Sequence, residues 1–406
     1  MRAIFFQRVL WIAAFGYFVD LFDLILYGAV RVESLKSLGY QGTEIFSVGA
    51  ELLNIQMAGM LLGGILWGML GDKKGRTEAL FGSIFLYSLA TFLNAYVHNF
   101  TGYAALRFLA GLGLAGELGA AITLVSETLP PDVRGMGSAF VAAIGFLGAA
   151  VSSFACQSMS WQNAYRFGGA LGFLLLLTRL SIRESALFLA SKLTVKIQNF
   201  GSLKLAFESK ERLKLFGLAF LAGVPVWYVA GILGYFAPEF AKALQTTGMV
   251  TAGTTIMMGY LGSIFGDILC GLLSQKLKSR KKAVLIFMIF GATLAITHPL
   301  YTTGASALVF YWIRFAIGFA NGFFAILIAW IAEMFGTNLR ATMTSILANL
   351  IRASVIPLTL GFQILNPHFG LLTASAVIGI ICFSMGLLAV LKLPETFSRN
   401  LEYIEN

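Results

Sequence analysis

RFLAGLGLAGELGAAITLVSETLPPDVRG (Arg107–Gly135) is an apolar, glycine-rich run with an arginine and a glutamate in its interior. Arg107 and Glu117 stand about 15 Å apart along a helix axis, too far to pair with each other. Each therefore needs its own partner, water or a bound solute. The stretch recurs as RFAIGFANGFFAILIAWIAEMFGTNLRA from Arg314. With one single-residue gap, Arg107 falls against Arg314, Gly111 against Gly318, Glu127 against Glu333 and Arg134 against Arg340. A second repeat sets GGILWGMLGDKKGR (63–76) against GDILCGLLSQKLKSR (266–280). The chain is thus two copies of one plan.

Of its 406 residues, 58% are hydrophobic and only 12% are charged, with a mean hydropathy of +0.82. A soluble chain carries roughly twice that charge. Many apolar runs reach the ~20 residues that cross a bilayer as a helix, and the alternation of a membrane β-barrel is missing. We expect an all-α polytopic membrane protein. Its twelve spans fall near 9–32, 46–70, 77–97, 102–125, 136–158, 164–183, 215–238, 250–274, 283–299, 306–332, 342–365 and 370–392. They group as two pseudo-symmetric six-helix bundles, 1–183 and 215–406, around a central cavity. The segment 184–214 is a charged cytoplasmic linker. Repeated six-span halves of one orientation are the build of a rocking secondary transporter with its site between the halves.

The net charge of +10 does not indicate nucleic acid. Most of the 29 Lys and Arg residues sit at the chain ends or in alternate loops, while Arg31, Lys36 and Lys242 alone occupy the intervening ones. That bias is the positive-inside rule, and it puts both termini in the cytoplasm. The N-terminal run is too long for a cleaved signal and contains Asp20 and Asp23, so it reads as a retained first span. Cys156, Cys270 and Cys382 are unspaced packing residues, with neither a disulfide frame nor a metal site. No nucleotide loop, nucleophile elbow or metal-ligand cluster points to an enzyme or a cofactor. A proton gradient is the expected energy source, and the expected partners are a small-molecule substrate and the lipid bilayer, with a monomer as the working unit.

GMLGDKKGR (Gly68–Arg76) joins the second and third spans on the cytoplasmic side. Gly68 permits close helix approach, Asp72 ends a span, Gly75 turns the chain and Arg76 presents a forked cation. With Glu127 and Arg134, and with Glu333 and Arg340 in the repeat, these residues form a candidate cytoplasmic gate. The loop resembles the signature of the major facilitator superfamily, Gly-x-x-x-Asp-basic-x-Gly-Arg. In the second copy Gln275 replaces the acid, Ser274 a glycine and Ser279 the arginine, so a weaker gate is expected there. Arg107 and Gly111 resemble the superfamily's Arg-x-x-x-Gly pattern. VDLFDLILYG (19–28), the fourth span with Glu117, and RESALF (183–188) resemble its metabolite–proton symporter branch, the carriers of citrate, oxoglutarate, shikimate and proline or betaine. Asp20 stands where that branch has Glu, and RESALF lacks its proline.

Charges inside a bilayer cost about 2.5–3.5 kcal/mol each on insertion scales, so each asks for a role. Asp20 and Asp23 share a helix face, and two close carboxylates favour holding one proton between them. With Glu117 they are the candidate proton-coupling groups. Arg352, near mid-membrane in span eleven, needs an anion: Asp20 or Asp23 across the cavity, or a substrate carboxylate. Asn349, one turn away, can add hydrogen bonds. Arg107 and Arg314, symmetry mates, are further substrate candidates, with Tyr228 and Tyr235 from span seven. Pro225, Gly231 and Gly234 bend that span and Pro357 bends span eleven. Arg166 reads as an interfacial anchor, Asp267 as a gate or helix-end group. His98, His298 and His368 fall at outer loop ends without a role.

The leading expectation is a proton-coupled symporter importing a small organic anion or zwitterion, such as a (poly)carboxylate or citrate-type siderophore. The alternative is a proton-driven metabolite or drug exporter. Such exporters carry a Gly-Pro pair in span five, whereas here GSAFVAAIGFLGAAVSS has no proline. The expected location is a bacterial inner membrane.

Overall fold

The structure, a computed structural model, describes residues 8–41, 44–129, 134–156, 158–179, 202–397, 399 and 404. Twelve long helices follow one another: α1 (Arg8–Ser37), α2 (Glu44–Lys73), α3 (Arg76–Asn94), α4 (Phe100–Thr128), α5 (Arg134–Ala155) and α6 (Trp161–Arg179). Then come α7 (Lys210–Gly234), α8 (Ala252–Lys276), α9 (Arg280–Thr302), α10 (Ala307–Met334), α11 (Arg340–Phe369) and α12 (Leu371–Lys392). By length and composition alone, α1, α2 and α7–α12 suffice to cross a membrane. Two short helices, Leu203–Glu208 and Ala237–Ala243, flank α7. Much of the expected linker lies outside the described residues, as does RESALF. Among the described residues there is no β-strand, only an isolated bridge between Thr247 and Ser306 that ties two loops.

Lipid explains the exterior. Phe154, Leu177 and Ile364 are 64–66% exposed on α5, α6 and α11. Apolar surface on this scale is a liability in water and normal against acyl chains. Polar side chains are used at the loop ends, where water returns. Asn99, Thr251, Ser279 and Ser306 each accept a backbone N–H in the first turn of α4, α8, α9 and α10, satisfying donors that the helix leaves unpaired.

Inside, α2 packs on α4 and α1 on α5, while α8 packs on α10 and α7 on α12. The repeat reappears at atomic scale. A Cβ on Gly111 would lie 2.1 Å from the Gln56 carbonyl, and one on Gly318 would lie 1.9 Å from the Gly259 carbonyl. The α2–α4 and α8–α10 pairs therefore cross with backbones in contact, which only small residues allow. The largest contacts between the halves are α5 on α8, where the Phe146 and Tyr260 rings stand 5.3 Å apart, and α2 on α11.

Three spans are interrupted. In α7 a π-helix over Tyr228–Gly234 follows Pro225. The turn of α11 at Ser354 comes just before Pro357, which has no N–H for the carbonyl four residues back. The third interruption was not foreseen from sequence. α10 breaks at Asn321–Phe323 between the pieces Ala307–Ala320 and Phe324–Met334. No proline marks it; Gly322 does, because its Cα side lies against the backbone of Gly266 and Asp267.

Candidate functional site

Helices α7, α8 and α10, with Ile25 of α1, line a small, partly open cavity of about 50 Å³. Its walls are apolar (Ile25, Val229, Leu233, Ile256 and Ile317), with glycines on α7, α8 and α10. Its polar groups are few: Arg314, Tyr235, Tyr260 and Asn321, with Thr255 and Ser263. The last two hydroxyls donate to carbonyls of Thr251 and of Gly259 and Gly318, so they are already engaged. Arg314 is not. It is 4% exposed, it lies 4.7 Å from the Phe310 ring centroid and 5.7 Å from that of Phe240, and none of its three guanidinium nitrogens has a hydrogen-bond partner among the described residues. The Tyr235 hydroxyl and the Asn321 Oδ1 are also unpartnered. Buried donors without acceptors are costly.

Arg352 and Arg107 are differently placed. Arg352 donates to Asp20 Oδ2 at 3.0 Å across the α1–α11 contact, with both side chains essentially buried and Tyr17 beside them. Of the anions expected for it, the structure brings up Asp20, and neither residue lines the cavity. Arg107 does not face a water-filled path. It is fully buried among tyrosines, 5.7 Å from the Tyr27 ring and 5.3 Å from that of Tyr165, with Gln56 Oε1 at 3.4 Å. Asp23 lies within electrostatic reach of Arg107 and accepts the Thr91 hydroxyl at 2.7 Å. Glu117 is buried in α4. Tyr228 turns away from the cavity and bonds the Ser375 carbonyl on α12 at 3.0 Å.

At the end where α2 joins α3, the halves are held together. Asp72 Oδ2 accepts the Thr342 N–H at 2.8 Å, so the end of α2 caps the start of α11. Gly68 packs on Thr342, and Gly64 on Asn349. Asn349 Nδ2 donates to the Ala115 carbonyl at 2.8 Å, which makes it part of this seal instead of a cavity group. Gly75 turns the α2–α3 connection at φ 134. The side chains of Arg76, Glu127 and Arg134 lie outside those described. On the opposite side Tyr235 packs on Gly28, closing α7 against α1.

The second copy of the gate needs a correction. Its arginine is retained as Arg280, the first residue of α9 as Arg76 is of α3; Lys278 is an insertion that displaces the alignment by one. Arg280 forms a buried pair with Glu333 at 2.9 Å and bonds Ser274 at 3.0 Å. The segment after α12 completes this cluster. Thr396 donates to Glu333 at 2.7 Å, Trp330 donates to the Pro394 carbonyl at 2.9 Å, and Glu395 accepts the Ser279 hydroxyl and the N–H groups of Arg280 and Lys281. Burial opposes ionisation of Glu395. The bonds from Ser279, Arg280, Phe397 and Lys281 outweigh it and hold the carboxyl below its ordinary range. Arg340 bonds the Ala332 carbonyl at 3.1 Å.

Other expectations sort as follows. Asp267 is a helix-end group, taking the Ala325 N–H at 3.3 Å at the start of the inner piece of α10. Arg166 bonds Asn163 and covers Tyr96 at the exposed start of α6. His298 is not at a loop end; it is 3% exposed within α9, against Phe240.

Repeated six-helix halves held together at one end, with a cavity beside their interface, are the architecture of an alternating-access carrier. The Major Facilitator Superfamily model matches residues 13–360, and the chain belongs to that family. It is therefore a multi-pass membrane transporter and not an enzyme. The chain is 26% identical over 438 residues to the inner membrane metabolite transport protein YhjE of Escherichia coli, covering 97% of this chain and 96% of that one. It is 26% identical over 356 residues to the sialic acid transporter NanX of the same organism, covering 85% and 83%. Among solved structures, the proton:xylose symporter XylE of E. coli, bound to 6-bromo-6-deoxy-D-glucose, superposes with a TM-score of 0.75 over 97% of each chain at 18% identity. That likeness carries the fold alone.

Proposed function

We propose that the chain is a proton-coupled symporter that imports a small organic anion across a bacterial inner membrane by alternating access. The observation that carries this reading is Arg314, a buried and unpartnered guanidinium on the wall of the interface cavity. A forked cation of this kind binds a carboxylate through two parallel hydrogen bonds. The cavity lining offers one cation and no acid, set in apolar walls. This narrows the class expected from the sequence. A monocarboxylate with an apolar body fits better than a citrate-like polycarboxylate, and better than a zwitterion whose cationic end would meet no acid. The relative named a sialic acid transporter agrees with an acid as cargo.

In this reading Arg314 holds the carboxylate, and Tyr235, Tyr260 and Asn321 add polar contacts. Asp20 and Asp23 take the coupling proton, with Glu117 below them on α4. Protonation of Asp20 discharges its pair with Arg352 and loosens α1 from α11. The two halves, 1–183 and 215–406, then rock about the linker. Asp72 releases α11 as the cytoplasmic side opens. The protein works as a monomer with both termini in the cytoplasm, needs no cofactor, and draws on the proton gradient.

The test is uptake into proteoliposomes of labelled monocarboxylates, citrate, betaine and a hexose, with and without an inward proton gradient. Gradient-driven monocarboxylate uptake is expected. Arg314→Ala should lower it roughly 10- to 100-fold, the value of charge-assisted hydrogen bonds lost from a buried site. Uptake of neutral solutes only, or indifference to Arg314→Ala, would overturn the anion site.

A further inference from the structure

The repeat sets Asp267 against Gly64: an acid in the C-terminal copy where the N-terminal copy has no side chain. Gly64 packs on Asn349. Asp267 is fully buried, and its carboxyl is poorly matched. Oδ1 accepts one N–H, from Ala325, at 3.3 Å. Oδ2 has no hydrogen-bond partner, and no cation reaches the group among the described residues. The other buried aspartates also bond through one oxygen, but with stronger partners: Asp20 takes Arg352, Asp23 takes the Thr91 hydroxyl at 2.7 Å with Arg107 in electrostatic reach, and Asp72 takes the Thr342 N–H at 2.8 Å.

The elements around Asp267 bring no compensating charge. Tyr17 on α1 and Cys270 on α8 itself are the titratable groups within electrostatic reach. Among the described residues, the titratable groups of α10 (Tyr311, Arg314 and Glu333), of α9 (Arg280, Lys281, Lys282, His298 and Tyr301) and of the stretch from Tyr228 to Tyr235 make no bond to it. The described side chains of α5 include no charge. An ionised carboxylate so buried and so sparsely bonded is expensive unless it binds a proton or a cation.

The group also sits at the break in α10. Ala325 is the second residue of the inner piece of α10, just after the break at Asn321–Phe323. An ionised carboxyl caps that helix start and interacts with its dipole, and a neutral one does so more weakly. The outer piece of α10 carries Arg314, Ile317 and Gly318 into the cavity wall, and Asn321 of the break follows them. One carboxyl therefore connects a protonation state to the helix that holds the substrate cation. We infer that Asp267 is a second proton-binding site, in the C-terminal half, that loads and unloads as the break in α10 rearranges. The inference rests on the proton-coupled reading above for its role in transport, but not for the titration itself.

Two measurements separate these. In pH-difference infrared spectra of the protein in liposomes, a carboxylic-acid C=O band should be present and should be missing in Asp267→Asn, while Asp20→Asn and Asp23→Asn retain it. In transport, Asp267→Asn should keep substrate counterflow, which needs no net proton movement, and should lower gradient-driven accumulation, with the proton-to-substrate ratio reduced by one. If wild type shows no gradient-driven uptake, the coupling reading fails while the infrared result still decides whether Asp267 titrates. Unchanged carboxyl bands in Asp267→Asn would overturn the inference. So would a band that answers to sodium and not to pH, which would make the group a metal-cation ligand. Where Asp267→Asn does not fold, Asp267→Glu serves instead: it should shift the band, and an unshifted band overturns the site.

Discussion

At the scale of single residues, the outcome turned on which buried arginine keeps a free face. Arg107, Arg314 and Arg352 all stood out in the sequence, because a cation inside an apolar span demands an explanation. Spacing along one helix could not rank them. Arg352 meets an acid 332 positions away in the chain, and Arg107 meets tyrosines from α1 and α6. Arg314 meets only rings, so it is the one of the three that retains all its donors. The Asp20–Arg352 pair yields a prediction. Removing one partner strands the other charge, at a cost of about 3–5 kcal/mol, whereas removing both is close to neutral. Asp20→Asn or Arg352→Gln alone should lower the melting temperature in detergent more than the double variant does. The double variant should still fail to couple uptake to protons. Equal losses in all three would show that the charges do not act as a pair.

At the scale of elements, glycines set the distances and broken helices set the flexibility. Gly318→Ala puts a methyl group into the Gly259 carbonyl and forces α8 and α10 apart. Overpacking of this kind costs about 1–3 kcal/mol. A lowered melting temperature is expected, while Gly361→Ala on α11, where nothing lies within 4 Å, should be tolerated. The cap at α9 predicts a pH effect. Because the folded protein holds Glu395 below its ordinary range, the cap contributes stability above the unfolded value and loses it as pH falls through the folded one. Acid should therefore weaken the cluster of Ser279, Arg280 and Glu333. Glu395→Gln should remove most of that acid sensitivity, as read by melting curves between neutral and acid pH. The bends of α7 and α11 were legible because proline announces them. The break in α10 was not, since Gly322 looks like any packing glycine until Gly266 is placed against it.

At the scale of the whole molecule, the halves are fastened at the α2–α3 end by α2 on α11 and by α4 on α11. The bond from Thr342 to Asp72 closes the former contact and those from Asn349 and Ser345 to Ala115 the latter. Asp72→Ala removes a cap worth about 1 kcal/mol and should shift the population toward the inward-open state. A cysteine placed at Gly71 should then label faster with a membrane-permeant maleimide, and an unchanged rate would remove Asp72 from the seal. The sequence by itself determined the membrane class, the twelve spans and the two copies, and it pointed to the α2–α3 loop motif. Those features are local or periodic: apolar runs of fixed length, loop charge, and motifs repeated at constant spacing. Tertiary structure alone decided which arginine lines the cavity, that Asn349 and Tyr228 are spent on helix contacts, that Arg280 keeps its place in the gate, and that Asp267 is buried without a cation. Each of these depends on which side chain of a distant helix stands opposite. In a fold whose two halves meet only after the chain has crossed the membrane twelve times, no single helix carries that information.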